Sequence, residues 1–266
     1  MRDDALEKFE AQGAAPLPVP IEEGSVENDG ARIWYACYGD GPPVLLLHGG
    51  LGNSGNWGYQ VSALVRAGYC AVLLDSRGHG RSTRDAQPFS YERMAFDILT
   101  VTDRLSLGKA AVVGWSDGAR IALIFGMKAP ARVTDVFFFG CNMNPGGAKE
   151  VEFTLVLRRC LGRHAKDYVR LSATPDRFQT FSQAVGLMMQ AQPHYAAEDL
   201  AKIGVPLAIA QSERDEFIKR EHAEYLAHTI PGAELTILPN VSYFAPLQGP
   251  EQFNHALMAF PGKILP

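Results

Sequence analysis

The sequence predicts an α/β fold: a doubly wound, mostly parallel sheet carrying an all-helical insertion. Three observations predict it. Short continuous apolar runs, such as "VLLL" (44–47) and "CAVLL" (70–74), end at polar or turn residues, as strands buried on both faces do. Amphipathic segments of helical spacing lie between them, so strands and helices alternate. That alternation lapses over 142–200 and resumes at Pro206. The 266 residues suffice for one large core.

The elements follow in order. Residues 1–20 end in "AAPLPVP" and read as a loose arm. The core is expected over 21–141 and 201–266. "ARIWYACYG" (31–39) reads as a strand, and "PPVLLLHGG" (42–50) as a buried strand stopped by glycines. "WGYQVSALVRAGY" (57–69) has helical spacing with Gly68 at its end. The strand at 70–75 precedes a long amphipathic helix at 91–107. "AAVVGWS" (110–116) is strand and turn, followed by the helix "GARIALIFGMKAP" and the strand "VTDVFFFG" (133–140). Residues 142–200 hold two or three helical segments, read as a lid over one end of the sheet. A strand at 206–211, a helix at 220–230, a strand at 233–239 and a helix at 250–260 complete the core.

Composition excludes several partners. With 20% charged residues and a net charge of −4, nothing in the chain's electrostatics favours nucleic acid or an anionic membrane. No apolar run reaches membrane-spanning length, and "MRDDALEKFEAQG" has no apolar h-region. The four cysteines form no CxxC pair and read as buried reduced thiols, which points to the cytoplasm. No HExxH is present and the histidines are dispersed, so no metal and no cofactor is expected.

The sharpest chemical signal is "VVGWSDG". Gly114, Ser116 and Gly118 make G-x-S-x-G between a strand and a helix. So tight a turn leaves no room for side chains at the glycine positions. It pushes Ser116 out at the helix amino terminus, where the dipole favours developing negative charge. "LLLHGG" ends a strand near the same edge. The backbone N–H of Gly50, with that of Asp117, can make an oxyanion hole. His48 reads as structural. Trp115 and Asp117 flank the serine and are candidate substrate contacts. A nucleophilic serine needs a base, and the base needs a carboxylate. Asp215, in "AIAQSERDEF" after a late strand, is placed for that carboxylate; Glu213 and Glu216 are poorer choices.

On these motifs the chain resembles the α/β-hydrolases of the lipase/esterase branch, from about Arg32 onward. "GWSDG" and the lid are similar to the valacyclovirase-like and biphenyl-hydrolase-like esterases. The resemblance implies a small ester or related acyl substrate and the order nucleophile, acid, histidine: Ser116, Asp215, then a histidine after the last strand. It also implies recognition of a substrate α-amino group by Asp117. The expected histidine is absent. "LPNVSYFAPLQ" (238–248) carries Tyr243 there. A phenol of pKa about 10 is ~0.1% ionised at neutral pH and makes a poor general base. Of the seven histidines, His164 and His194 in the lid are the candidates to replace it.

Two readings of other classes remain. A non-catalytic binding protein on the same fold is motivated by the absent base. A dinucleotide-binding oxidoreductase is motivated by Gly50, Gly52 and Gly55 in G-x-G-x-x-G spacing, with Asp75 as the ribose-binding acid.

Overall fold

The computed structural model describes residues 4–259. It begins with α1 (Asp4–Gln12), followed by β1 (Glu22–Asn28), β2 (Ala31–Tyr38) and β3 (Pro43–Leu47). Then come α2 (Gly58–Arg66), β4 (Cys70–Leu74), α3 (Tyr91–Arg104), β5 (Ala110–Trp115), α4 (Asp117–Lys128) and β6 (Val133–Phe139). The insertion holds α5 (Leu155–Leu171), α6 (Phe178–Ala191) and the short α7 (Ala197–Leu200). The core resumes with β7 (Leu207–Arg214), α8 (Arg220–Thr229), β8 (Glu234–Ser242), α9 (Ala245–Gln248) and α10 (Pro250–Ala259).

The eight strands form one sheet in the order β1-β2-β4-β3-β5-β6-β7-β8. The β1–β2 and β2–β4 pairs are antiparallel and the others parallel. This is the α/β-hydrolase fold. The continuous apolar runs have a simple cause. Leu45 and Leu47 of β3, Val112 of β5 and Phe138 of β6 enter one core layer with α3, α4 and α8. Their neighbours Val44, Leu46, Val113 and Phe139 enter the opposite layer with α2 and α10. Both sheet faces are covered, so both strand faces are apolar.

Two expectations need correction. The arm at 1–20 is not loose throughout: α1 buries Leu6 and Phe9 completely or nearly so. Three residues apart, these two side chains share one helix face, which is covered by α5 and α9. The second correction is β1, a strand not expected at all. "EEGSVEN" is polar because β1 is an edge strand whose residues are exposed or half-buried. Residues 1–3 of the arm and 260–266 of the expected core lie outside the described residues. Among the described residues, no helix is long and apolar enough to cross a membrane.

Candidate active site

Ser116 stands between the last residue of β5 and the first of α4, with φ 58° and ψ −125°. A positive φ in a non-glycine residue is strained and marks a turn held by its surroundings. The two glycines explain how it is held. A Cβ on Gly114 would lie 2.3 Å from the Gly118 carbonyl oxygen, and one on Gly118 would lie 2.0 Å from that of Leu47. Any side chain at either position would drive the elbow off the sheet. The Ser116 N–H donates to the Phe139 carbonyl at 3.0 Å, which ties the turn to β6.

The loop after β3 closes over the serine. A Cβ on Gly49 would touch Ser116 Cβ at 3.2 Å, and one on Gly50 would meet an Asp117 carboxylate oxygen at 2.6 Å. Asp117 is the first residue of α4, where backbone N–H groups have no intrahelical partner. His48 is buried and braces this loop. Its Nδ1 donates to the Gly49 carbonyl at 2.8 Å, and its Nε2 accepts from the Ser76 N–H at 3.0 Å. Burial lowers its pKa, which suits a neutral structural imidazole.

Asp215 follows β7 and is 3% exposed. Its Oδ1 accepts from the N–H groups of Phe217 and Ile218, each at 2.8 Å. Its Oδ2 is buried and has no donor. Burial pushes its carboxyl up to about 6, against the pull of those two N–H groups. Tyr243 follows β8. A Cβ on Gly140 would lie 3.3 Å from the Tyr243 ring and 3.6 Å from Asp215 Oδ2, so ring and carboxylate meet at one spot. The Ser116 side chain is near enough to the phenol to pull its pKa down, against the larger effect of burial. The backbone N–H of Tyr243 donates to Glu216 at 2.9 Å, which assigns Glu216 to holding the loop. Burial raises the phenol well above its ordinary value.

Ser116, Gly50, Asp117, Asp215 and Tyr243 are thus brought together. Trp115 packs against the Tyr243 ring at 5.9 Å, but it is 2% exposed and also packs on Trp57 and Phe244, so it is a core residue and not the substrate contact expected. Of the lid histidines, His194 is exposed. His164 is buried with its ring 5.9 Å from that of Phe9, and burial lowers it to about 4. His222 is buried and accepts the Met143 N–H at 3.1 Å. Asp75 is fully buried. It accepts from the N–H groups of Ser54 and Arg81, each at 2.8 Å, and pairs with the Arg81 side chain. Braced in this way it is unavailable to a ribose, and the dinucleotide reading loses its acid.

Sequence reasoning missed Arg120. It is 7% exposed and pairs with Asp117 Oδ1 at 2.9 Å. The signal was present: one charge in the otherwise apolar helix "GARIALIF", three residues after Asp117, where it needs a buried partner.

The chain matches the alpha/beta hydrolase fold family over residues 42–145, which carry the loop after β3 and the turn at Ser116. It is 29% identical over 256 residues to RutD, a putative carbamate hydrolase of Azorhizobium caulinodans, covering 88% of this chain and 96% of the relative. It is 24% identical to the human serine hydrolase BPHL, covering 91% of this chain and 87% of that one. Among solved structures it is similar to Est816, described as an N-acyl homoserine lactone degrading enzyme. The TM-score is 0.72 and the identity 27%, over 89% of this chain and 100% of the other. The family match and these likenesses agree with the sheet order in giving the chain the α/β-hydrolase fold.

Proposed function

We propose that the chain is a carboxylesterase-type serine hydrolase for a small ester or related acyl compound, slowed by Tyr243 at the triad's base position. Ser116 is the nucleophile and Asp215 the triad acid. The N–H groups of Gly50 and Asp117 hold the oxyanion. The cytoplasm is its proposed compartment. One observation carries the reading: Tyr243 lies between Ser116 and Asp215, and Asp215 Oδ2 has no donor beside it. An imidazole there would give its Nδ1–H to Oδ2 and leave Nε2 to take the serine proton. A phenol has one polar atom, so it meets the serine and leaves the carboxylate unanswered. Its raised pKa keeps it neutral and unable to accept that proton. Hydrolases such as RutD and BPHL among the relatives support the reaction class.

The test is Tyr243→His, assayed with short-chain nitrophenyl esters beside the parent, Tyr243→Phe and Ser116→Ala. The histidine variant should gain several orders of magnitude, up to the ~10⁶ attributed to a triad histidine. The gain should vanish in the Tyr243→His/Ser116→Ala double variant. It should appear as pH rises through about 6.5, because the imidazole must be neutral to accept a proton. Equal slowness of parent, Tyr243→His and Tyr243→Phe would favour the second reading, a binding protein that retains its ligand unhydrolysed. The neutral, buried phenol against Ser116 is the observation behind that alternative.

A further inference from the structure

The resemblance implied that Asp117 receives a substrate ammonium. The surroundings of its carboxylate argue otherwise. Asp117 is 4% exposed. Its Oδ1 accepts from the Tyr91 hydroxyl at 2.8 Å and from Arg120 Nη1 at 2.9 Å. Arg120 is locked in turn: Nε donates to the Asn142 carbonyl at 3.1 Å and Nη2 to the Asn142 side-chain oxygen. Arginine stays charged at any working pH. The carboxylate and guanidinium therefore cancel inside a dry site.

The other oxygen is placed differently. Asp117 Oδ2 is buried and has no hydrogen-bond donor. A Cβ on Gly50 would lie 2.6 Å from Oδ2 and 2.2 Å from Met189 Cε of α6, so the spot beside Oδ2 is filled by the end of that flexible side chain, which a substrate group must displace. A carbonyl oxygen held by the Gly50 N–H puts the substrate's α-carbon next to that Met189 methyl. A donor on the α-carbon can then reach Oδ2. An ammonium arriving there would be stripped of water beside an arginine, with no net negative charge to receive it. A hydroxyl carries no charge to desolvate and supplies the missing donor.

We propose that the acyl side of this site selects a neutral group with an α-hydrogen-bond donor, an α-hydroxy acyl group above all, and rejects an α-ammonium. The proposal rests on the esterase reading and specifies its substrate class.

The test uses three nearly isosteric esters: benzyl lactate, benzyl propionate and alanine benzyl ester. Binding to the intact parent chain is measured by titration calorimetry, which its slow turnover permits. Lactate should bind about tenfold tighter than propionate, the scale of one buried hydrogen bond. The alanine ester, charged at a pH two units below its amine pKa, should bind more weakly than either. In Arg120→Gln the carboxylate loses its counter-charge, and the order should shift toward the alanine ester. Equal binding of lactate and propionate, or tightest binding of the alanine ester, in the parent overturns the proposal even if Arg120→Gln does not fold. Hydrolysis by Tyr243→His separates the two claims. Ser116-dependent hydrolysis without preference for lactate sinks only the substrate class. No hydrolysis of any of the three sinks the esterase reading and this inference with it.

Discussion

Asp215 shows how burial sets the charge state of a single side chain. Its carboxyl, raised to about 6 by burial, lies above the ~3.9 of an unfolded chain. The folded state therefore holds the proton more tightly. The stability this contributes is complete below pH ~3.9 and is lost as pH rises through about 6. Above that, the buried charge costs about 2–3 kcal/mol, an order-of-magnitude figure from two pKa units. Asp215→Asn keeps the acceptor for the Phe217 and Ile218 N–H groups and removes the charge. It should match the parent at pH 4 and exceed it by about 2 kcal/mol at pH 7.5 in urea melts. A gain that shrinks as pH rises would mean that the ionised carboxylate is the favoured form, with an undetected donor on Oδ2.

At the scale of elements, α1 carries the clearest consequence. Leu6 and Phe9 enter the same core layer as Leu157 and Cys160 of α5 and Phe244 and Ala245 beside Tyr243. Arg159 of α5 pairs with Glu7 at 2.8 Å and Glu10 at 3.4 Å. The chain then passes so close to α2 that a Cβ on Gly58 would lie 1.8 Å from the Ala15 carbonyl oxygen. One short helix thus ties the insertion to the Tyr243 loop. Burial of its apolar face, not helix propensity, holds nine residues in place. Phe9→Asp should detach it. Cys160, 0% exposed in the parent, should then react with N-ethylmaleimide at least about tenfold faster, read by peptide mass, as local opening predicts. An unchanged rate would mean that α1 does not shield α5.

At the scale of the whole molecule, protection should follow position in the sheet. All six residues of β5 are buried between two covered faces, whereas β1 is an edge strand with only exposed and half-buried residues. Amide hydrogen exchange should be slowest in β3 and β5 and fastest, among the strands, in β1. Mass spectrometry of peptides spanning 22–28 and 110–115 reads the contrast directly. Equal protection would mean that the β1–β2 pair opens only with the global transition.

The sequence alone determined the sheet, because strands buried on both faces must be continuously apolar, as at 44–47 and 110–113. It determined the elbow as well, since Gly114 and Gly118 admit no side chain and leave a local mark. It left β1 unread, because a polar edge strand looks like a loop until a neighbour supplies its hydrogen bonds. It left α1 unread because two apolar residues declare a helix face only when something covers them. The charge state of the candidate site was beyond local pattern too. "SDGAR" names an acid and a base three residues apart, but an exposed pair and a buried, cancelling pair read alike. Tertiary structure decided between them, by closing Tyr91 and Asn142 around Arg120 and excluding the water that would otherwise have solvated both charges.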